Sequence, residues 1–208
     1  MPSTPESLLC LVPVVPVVVI DDLAHAVPVA RALVEGGLPM IELTLRTPVA
    51  LDAIRAIAAE VPEILVGAGT IVTPGQVKQA MDAGARFLVS PGCTPTLLSA
   101  MSESGVGFLP GTATVSEALA VLEAGYTEMK FFPAEASGGA AYLKSIASPL
   151  PAARFCPTGG ITATTASSYL ALPNVGCVGG SWLTPPEALA NRNWDAIRDL
   201  AAEAAALS

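Results

Sequence analysis

Histidine and paired cysteines are scarce in this sequence, and their scarcity excludes several kinds of active site. Among 208 residues the single histidine is His25. A Ser-His-Asp triad would have to use it, and a metal site could have at most one imidazole ligand. The four cysteines include no C-x-x-C pair, which predicts reduced thiols in a cytoplasmic protein. These counts leave little scope for catalysis by histidine or by paired cysteines.

Charged residues are also few, and most of them are acidic. They make up 13% of the chain, and the net charge is −8. This balance argues against nucleic acid or an anionic membrane as a partner, although a local site could still bind a small anion. The apolar run at residues 8–20 is too short to span a bilayer, contains two prolines and has no basic region before it. Hydrophobic residues reach 52%, which predicts a large core.

Short apolar runs alternate with helical patterns along the whole chain. Strands are predicted at residues 12–20, 40–45, 64–68, 86–90, 106–109, 127–132, 153–157 and 175–178. Threonine-proline pairs at 47–48, 73–74 and 94–95 are typical of helix starts. Eight strand-then-helix units predict a parallel sheet closed into a (β/α)8 TIM barrel, in the α/β class, as one domain over residues 1–208. The alternative is an open doubly wound sheet, and the lack of a G-x-G-x-x-G motif after the first strand argues against it.

Lys130 is one of only three lysines, and it lies inside the apolar run 127–132. The run is too short for a helix, so we interpret it as a buried strand. A buried ammonium is costly, and a lysine can avoid that cost by losing its proton. A neutral lysine beside a pocket is a candidate nucleophile that forms a Schiff base with a ketone. The alternative is a lysine that forms a salt bridge or extends to water at the strand end.

The second predicted strand has a polar face made of Glu42, Thr44 and Arg46. In a closed barrel that face would point inward, towards Lys130. Arg46 could hold a substrate carboxylate through two parallel contacts, and Glu42 could transfer protons. A structural ion pair between Glu42 and Arg46 is the alternative.

Glycine pairs follow the last two predicted strands, at Gly159-Gly160 and Gly179-Gly180, the second followed by Ser181. Turns without side chains expose backbone N–H groups to an anion, and these two loops are the usual phosphate site of a TIM barrel. Ordinary tight turns are the alternative. The small residues at 67–70 and Pro91 are expected at the same rim, where they could leave room for a ligand.

These motifs resemble those of the bacterial 2-keto-3-deoxy-6-phosphogluconate (KDPG) aldolases, which are class I, pyruvate-dependent enzymes of the Entner–Doudoroff pathway. The resemblance covers nearly the whole chain and shows no departure at a functional motif. The motifs lie at residues 13–17 (PVVPV), 43–47 (LTLRT), 66–70 (VGAGT), 90–92 (SPG), 130–135 (KFFPAE), 154–160 (RFCPTGG) and 179–182 (GGSW).

The resemblance implies a homotrimer that cleaves the phosphorylated keto-acid to pyruvate and glyceraldehyde 3-phosphate without a metal or another cofactor. It also implies that the enzyme accepts 4-hydroxy-2-oxoglutarate. It implies that Lys130 is the Schiff-base lysine and that Glu42 is the general acid and base. The implied substrate-binding residues are Arg46 and Thr70 at the carboxylate, Thr158 at the aldehyde, and Gly159, Gly160, Gly180 and Ser181 at the phosphate. Gly179, Pro91 and Phe132 complete the predicted substrate-binding set.

Three other functions remain open on the residues alone. A sugar-phosphate isomerase or synthase would share the glycine loops but would need no Schiff base. A lyase acting on the galactonate epimer is closer, and the LTLRT motif argues against it by resemblance. A non-catalytic phosphate-binding protein would give no reason for Lys130, Glu42 and Arg46 to converge.

Overall fold

Strands and helices alternate through the computed structural model, which describes residues 7–207. The strands are β1 (Val14–Val18), β2 (Met40–Thr44), β3 (Leu65–Gly69), β4 (Phe87–Val89), β5 (Gly107–Leu109), β6 (Gly111–Thr112), β7 (Glu128–Phe131), β8 (Arg154–Pro157) and β9 (Val178–Gly180). The α-helices are α1 (Ala26–Glu35), α2 (Ala50–Glu60), α3 (Pro74–Asp82), α4 (Pro95–Glu103), α5 (Val115–Glu123), α6 (Gly139–Ile146), α7 (Ala166–Leu170), α8 (Pro186–Ala190) and α9 (Trp194–Ala205). The predicted domain, 1–208, also includes residues 1–6 and 208, which lie outside the described residues.

The prediction of a closed eight-stranded TIM barrel is wrong. The described strands form two parallel sheets, a six-stranded sheet in the order β5-β4-β3-β2-β1-β9 and a three-stranded sheet in the order β6-β7-β8. Between β8 and the segment that contains β9, pairing is limited to isolated bridges, Phe155 with Val175 and Thr158 with Gly179. The architecture is therefore an open half-barrel with a second, smaller sheet.

A proline lies at each place where the two sheets meet. Pro110 separates β5 from β6, and its carbonyl accepts a hydrogen bond from Lys130 N at 2.9 Å. Pro157 ends β8, two residues after Phe155, which bonds the 174–176 segment through both its N–H and its carbonyl. Alternate residues of a strand point their N–H groups to the same side, so an N–H at position 157 would face the same neighbouring segment as that of Phe155. Proline has no N–H, and Pro157 therefore cannot continue the hydrogen bonds between β8 and that segment. Each proline therefore removes one backbone donor at a place where pairing between the two sheets is interrupted.

Threonine side chains begin two of the three helices that the threonine-proline pairs predicted. Thr73 accepts a hydrogen bond from Gln76 N at 3.2 Å, and Thr94 accepts one from Leu97 N at 3.3 Å, so each caps its helix. Thr47 behaves differently, because its hydroxyl donates to the carbonyl of Ile20 at 2.6 Å and α2 begins only at Ala50. Thr47 therefore ties the end of β2 to the end of β1.

Buried charge is confined to one place in the described part of the chain. The strands of the six-stranded sheet are almost entirely buried, and their core neighbours are aliphatic or aromatic. Among the described residues, Glu42 and Lys130 are the two charged side chains that are buried. Since an unpaired buried charge is strongly unfavourable, these two residues mark the position where function is to be sought.

Candidate active site

The two buried charged residues, Lys130 and Glu42, contact each other. Lys130 is on β7 of the small sheet and Glu42 is on β2 of the large sheet, so the pair joins the two sheets. Lys130 Nζ donates to Glu42 Oε1 at 3.1 Å, and the side chains are 4% and 3% exposed. At this distance the amine and the carboxyl group can exchange a proton directly. The pair can therefore supply both an amine nucleophile and an acid.

Glycine and an aromatic ring shape the space around this pair. A Cβ atom built on Gly69 would lie 2.0 Å from Glu42 Oε1, so the carboxylate occupies space that any side chain at position 69 would fill. On the other side, Lys130 Nζ lies 5.4 Å from the centroid of the Phe132 ring. The Phe132 ring covers the Lys130 amine, and the space left by the missing side chain at Gly69 is occupied by the Glu42 carboxylate.

Replacing Gly69 with alanine is expected to displace the Glu42 carboxylate and to lower kcat by about 10- to 100-fold, since small misplacements of a catalytic group have effects of this size. The added methyl group also crowds the core, at a cost of about 1–3 kcal/mol in the free energy of unfolding. Steady-state kinetics and thermal unfolding measure the two effects. The control is Gly75→Ala, because a Cβ atom there would meet only Thr73 Oγ1, at 3.8 Å. Wild-type turnover in a folded Gly69→Ala variant would contradict this account of Glu42.

Arg46 lies at the rim rather than in the interior with Lys130. It is exposed, and its Nε donates to Thr70 Oγ1 at 3.2 Å. Glu42 pairs with Lys130 instead of Arg46, so the alternative of a structural Glu42–Arg46 pair is not what the structure contains. Within residues 7–207, no ion pair engages the terminal guanidinium nitrogens of Arg46, which suits binding of a carboxylate.

Thr70 has a strained backbone, with φ of 60° in the left-handed region. This region is unfavourable for a β-branched residue, and such strain is concentrated at ligand sites. The strained conformation follows directly on β3 and turns the threonine hydroxyl towards Arg46. Arg46 and Thr70 thus form a polar pair at the ends of adjacent strands.

The two predicted phosphate loops lie side by side. Gly159 and Gly160 have φ of 104° and 81°, a left-handed conformation in which glycine is favoured. The bridge between Thr158 and Gly179 brings the second loop next to the first, and a Cβ atom on Gly179 would lie 2.2 Å from Thr158 Oγ1. The Thr158 side chain can lie this close to the backbone of residue 179 only because that residue has no side chain.

The second loop continues with Gly180 and Ser181. A Cβ atom on Gly180 would lie 2.4 Å from the Trp182 ring, so this glycine is also sterically required. Ser181 is exposed and lines a cavity of about 490 Å³, together with residues from the end of β1 and from α8. The backbone N–H groups and the serine hydroxyl are donors of the kind that bind a phosphate.

Pro91 and Phe132 have different surroundings. A Cβ atom on Gly111 would meet the Pro91 carbonyl carbon at 2.3 Å, which places Pro91 against the start of the small sheet. The Phe132 ring packs against Gly159, where a Cβ atom would be 3.2 Å away, and the same ring covers Lys130. Phe132 therefore bridges the lysine and the first glycine loop.

The cysteines near this region are not activated thiolates. Burial raises the pKa of the Cys93 thiol, and the hydrogen bond with Cys156, followed by burial, raises the pKa of Cys177 well above its usual range. The thiolate is the reactive form of cysteine, so both shifts disfavour nucleophilic chemistry.

Among the residues described, no group of three or more His, Cys, Asp and Glu side chains is placed to hold a metal ion. In the same part of the chain, every helix is too short or too polar to cross a bilayer.

Sequence reasoning missed three residues that shape the site. Gly69 was noted only for its small size, yet its missing side chain makes room for Glu42. Glu135 packs beneath Gly160, and Tyr169 bonds to Glu135. Glu135 was part of the KFFPAE motif, which could have indicated it, whereas nothing in the sequence links it to Tyr169, 34 residues away.

Comparison with known proteins agrees with this arrangement. The profile of the family described as KDPG and KHG aldolase matches residues 6–200. The chain is 52% identical to the KHG/KDPG aldolase of Escherichia coli K12, over 97% of this chain and 95% of that protein. It is 52% identical to the 2-dehydro-3-deoxy-phosphogluconate aldolase of Dickeya dadantii, over 98% and 96%. A Legionella pneumophila KDPG aldolase, solved with pyruvate captured as a covalent carbinolamine intermediate, superimposes with a TM-score of 0.93 at 47% identity, covering 95% of this chain and 96% of that one.

The relatives are aldolases, and the predicted enzyme class, a carbon–carbon lyase, is confirmed. The chain belongs to the KDPG and KHG aldolase family, as its motifs predicted.

Proposed function

We propose that this chain is a class I aldolase that cleaves 2-dehydro-3-deoxy-6-phosphogluconate to pyruvate and D-glyceraldehyde 3-phosphate, and 4-hydroxy-2-oxoglutarate to pyruvate and glyoxylate. The observation that carries the proposal is the buried contact of 3.1 Å between Lys130 Nζ and Glu42 Oε1. The names of the relatives and the pyruvate adduct in the Legionella enzyme support it. No step of the reaction requires a cofactor, because the lysine itself supplies the electron sink.

The reaction begins when Lys130 passes a proton to Glu42 and its neutral amine attacks the C2 ketone. A proton then moves from the nitrogen to the former ketone oxygen, which gives a neutral carbinolamine. The carbinolamine then loses water as Glu42 returns the proton to the departing hydroxyl, which leaves an iminium and a carboxylate. Glu42 removes the C4 hydroxyl proton, the C3–C4 bond breaks, and its electrons form an enamine while the aldehyde departs. Glu42 protonates C3 of the enamine, and one water hydrolyses the resulting iminium to pyruvate and the lysine amine, with the released proton taken up by the Glu42 carboxylate. One carboxyl group thus carries the protons of dehydration, of C3–C4 cleavage and of enamine protonation.

The remaining residues hold the substrate. Arg46 and Thr70 bind the carboxylate of the pyruvate half, and Thr158 faces the aldehyde carbon. The phosphate is bound by Gly159, Gly160, Gly179, Gly180 and Ser181. Pro91 and Phe132 form the apolar walls. The phosphate does not react, and its binding energy places C3 and C4 for bond cleavage.

Ser181→Ala is expected to raise KM for the phosphorylated substrate about tenfold, because a hydrogen bond to a charged group contributes about 1.5–3 kcal/mol. Turnover of 4-hydroxy-2-oxoglutarate should remain within about twofold of wild type, since that substrate has no phosphate. Ser99→Ala, which removes an exposed hydroxyl bonded to Glu103 on α4, is the control. Equal losses on both substrates would show that Ser181 does not bind the phosphate.

A coupled assay that follows pyruvate release from the gluconate keto-acid, its galactonate epimer and 4-hydroxy-2-oxoglutarate tests the proposed function. We expect rapid release from the first and measurable release from the third. A sugar-phosphate isomerase or synthase would convert a phosphorylated sugar without forming pyruvate, and a binding protein would form no product. Faster pyruvate release from the galactonate epimer than from the gluconate keto-acid would show that the proposed substrate is wrong.

We also propose that the functional unit is a cytoplasmic homotrimer of single-domain chains, each spanning residues 1–208. The family resemblance supports the trimer, and the net charge of −8 argues against nucleic acid or an anionic membrane as a partner. Light scattering after gel filtration should give three times the chain mass of 21.0 kDa. A monomer mass at assay concentrations would contradict the trimer.

A further inference from the structure

Glu135 supports the first glycine loop from below. Its N–H donates to the Gly159 carbonyl at 3.0 Å, and the preceding Ala134 N–H donates to the Thr158 carbonyl at 2.8 Å. A Cβ atom on Gly160 would lie 2.7 Å from Glu135 Cγ and 2.8 Å from its Cβ. The left-handed backbone of Gly159 and Gly160 therefore lies directly on the aliphatic part of this glutamate.

Tyr169 fixes the far end of the Glu135 side chain. It is on α7, is 1% exposed, and its hydroxyl donates to Glu135 Oε1 at 2.5 Å. Burial, followed by the hydrogen bond and the charge of Glu135, raises the pKa of Tyr169 above its usual range, so the phenol remains a donor. The phenol oxygen also lies close to the start of α6, since a Cβ atom on Gly139 would be 3.3 Å from it. A buried hydroxyl thus connects an otherwise exposed glutamate to α7.

The position of the Glu135 carboxylate affects how well the neighbouring glycine loop can bind an anion. Among the ion pairs of the described residues, none involves Glu135, and the glycine loops carry no basic side chain. A carboxylate free to rotate beneath Gly160 would shift the loop and would repel a phosphate nearby. Tyr169 holds one carboxylate oxygen against the protein interior and prevents this rotation.

We propose that Glu135 and Tyr169 are positioning residues that hold the Gly159-Gly160 loop in its phosphate-binding conformation, and so set the preference for phosphorylated over unphosphorylated substrates. This inference depends on the proposed phosphate site. Neither residue touches the reacting atoms. The pair acts on the part of the substrate that the chemistry leaves unchanged, so its effect should appear in KM for the phosphorylated substrate and not in the reactions of pyruvate.

Tyr169→Phe and Glu135→Ala test the proposal, because one removes the hydroxyl and the other removes the support beneath Gly160. Each should raise KM for the phosphorylated keto-acid about tenfold, the loss expected when a hydrogen bond to a charged acceptor is removed. Exchange of the pyruvate methyl protons with deuterated solvent, followed by NMR, reports Schiff-base and enamine formation without any phosphate. Its rate should stay within about twofold of wild type in both variants, because the lysine and its carboxylate are unchanged.

Glu135→Gln tests whether the contacts of this side chain, rather than its charge, hold the glycine loop. Glutamine keeps the aliphatic part and an oxygen that accepts from Tyr169, so KM for the phosphorylated substrate should remain within about twofold of wild type. The matched control is Tyr126→Phe, which removes a hydroxyl bonded to Ser102 at 2.5 Å, outside the proposed site, and should leave both readouts unchanged. Thermal unfolding checks that each variant is folded, and Glu135→Ala at an exposed position keeps the test valid if Tyr169→Phe unfolds.

The outcomes separate this inference from the function on which it rests. If Ser181→Ala raises KM for the phosphorylated substrate while Tyr169→Phe and Glu135→Ala do not, the positioning role is wrong and the phosphate site stands. If Tyr169→Phe slows pyruvate exchange as much as it affects the phosphorylated substrate, the positioning role is also wrong. If Ser181→Ala has no effect either, the phosphate site itself is wrong and the inference falls with it.

Discussion

Lys130→Met is expected to abolish turnover, with kcat reduced by about 10⁴-fold or more, as is usual when a covalent nucleophile is removed. Methionine has nearly the same length and fits an apolar interior, but it has no nitrogen to attack a ketone. The lysine side chain is 4% exposed, so its replacement leaves Glu42 buried without its partner.

The matched control for this variant is Lys144→Met. Lys144 is an exposed lysine in the last turn of α6, and its loss should leave kcat and KM unchanged. Circular dichroism and thermal unfolding should show that both variants are folded before their kinetics are compared. A folded Lys130→Met enzyme that retained more than about one tenth of wild-type kcat would be inconsistent with nucleophilic catalysis by Lys130.

Glu42→Gln is expected to lower kcat by about 10²- to 10⁴-fold, the range typical for loss of a general acid and base. The amide keeps the shape of the carboxyl group and an oxygen that can accept from Lys130, but it cannot carry the proton that dehydration and C3–C4 cleavage require. Lys130 remains present in this variant. The adduct with pyruvate should therefore still form, more slowly, so the variant separates proton transfer from covalent attack.

Glu117→Gln is the control for this second substitution. Glu117 is at the N-terminus of α5, where backbone hydrogen bonds from Ala113 and Thr114 reach its carboxylate and hold its pKa below its usual value. Glutamine keeps these acceptor positions, so activity should be unchanged. If Glu42→Gln had the same kcat as the control, Glu42 would have a structural role and another group would have to move the protons.

The alternation rule placed Glu42 correctly but failed for Arg46. Side chains alternate only while the backbone is extended, and β2 ends at Thr44. Beyond it, the Arg46 N–H bonds to the Thr44 carbonyl at 2.8 Å in a turn, which directs the side chain to the rim. The position of the strand end depends on pairing with β1 and β3, and this pairing is not visible in a local pattern.

Closure of the sheet could not be predicted from the number of strands. Pro110 and Pro157 are plain in the sequence, but their effect depends on whether each missing N–H faces a neighbouring strand. That direction follows from the register of β6, β7 and β8, which is a property of the fold. Likewise, Tyr169 and Glu135 meet only because α7 packs against the segment after β7. By contrast, the seven sequence motifs taken together are sufficient to indicate the family.

Borohydride reduction in the presence of pyruvate, followed by peptide mass spectrometry, tests most directly whether Lys130 forms a Schiff base. Reduction of the iminium should fix pyruvate irreversibly on a single peptide that contains Lys130, with loss of activity in proportion to labelling, and Lys130→Met should take up no label. Full activity after reduction, or label on Lys78 or Lys144 in place of Lys130, would contradict the mechanism.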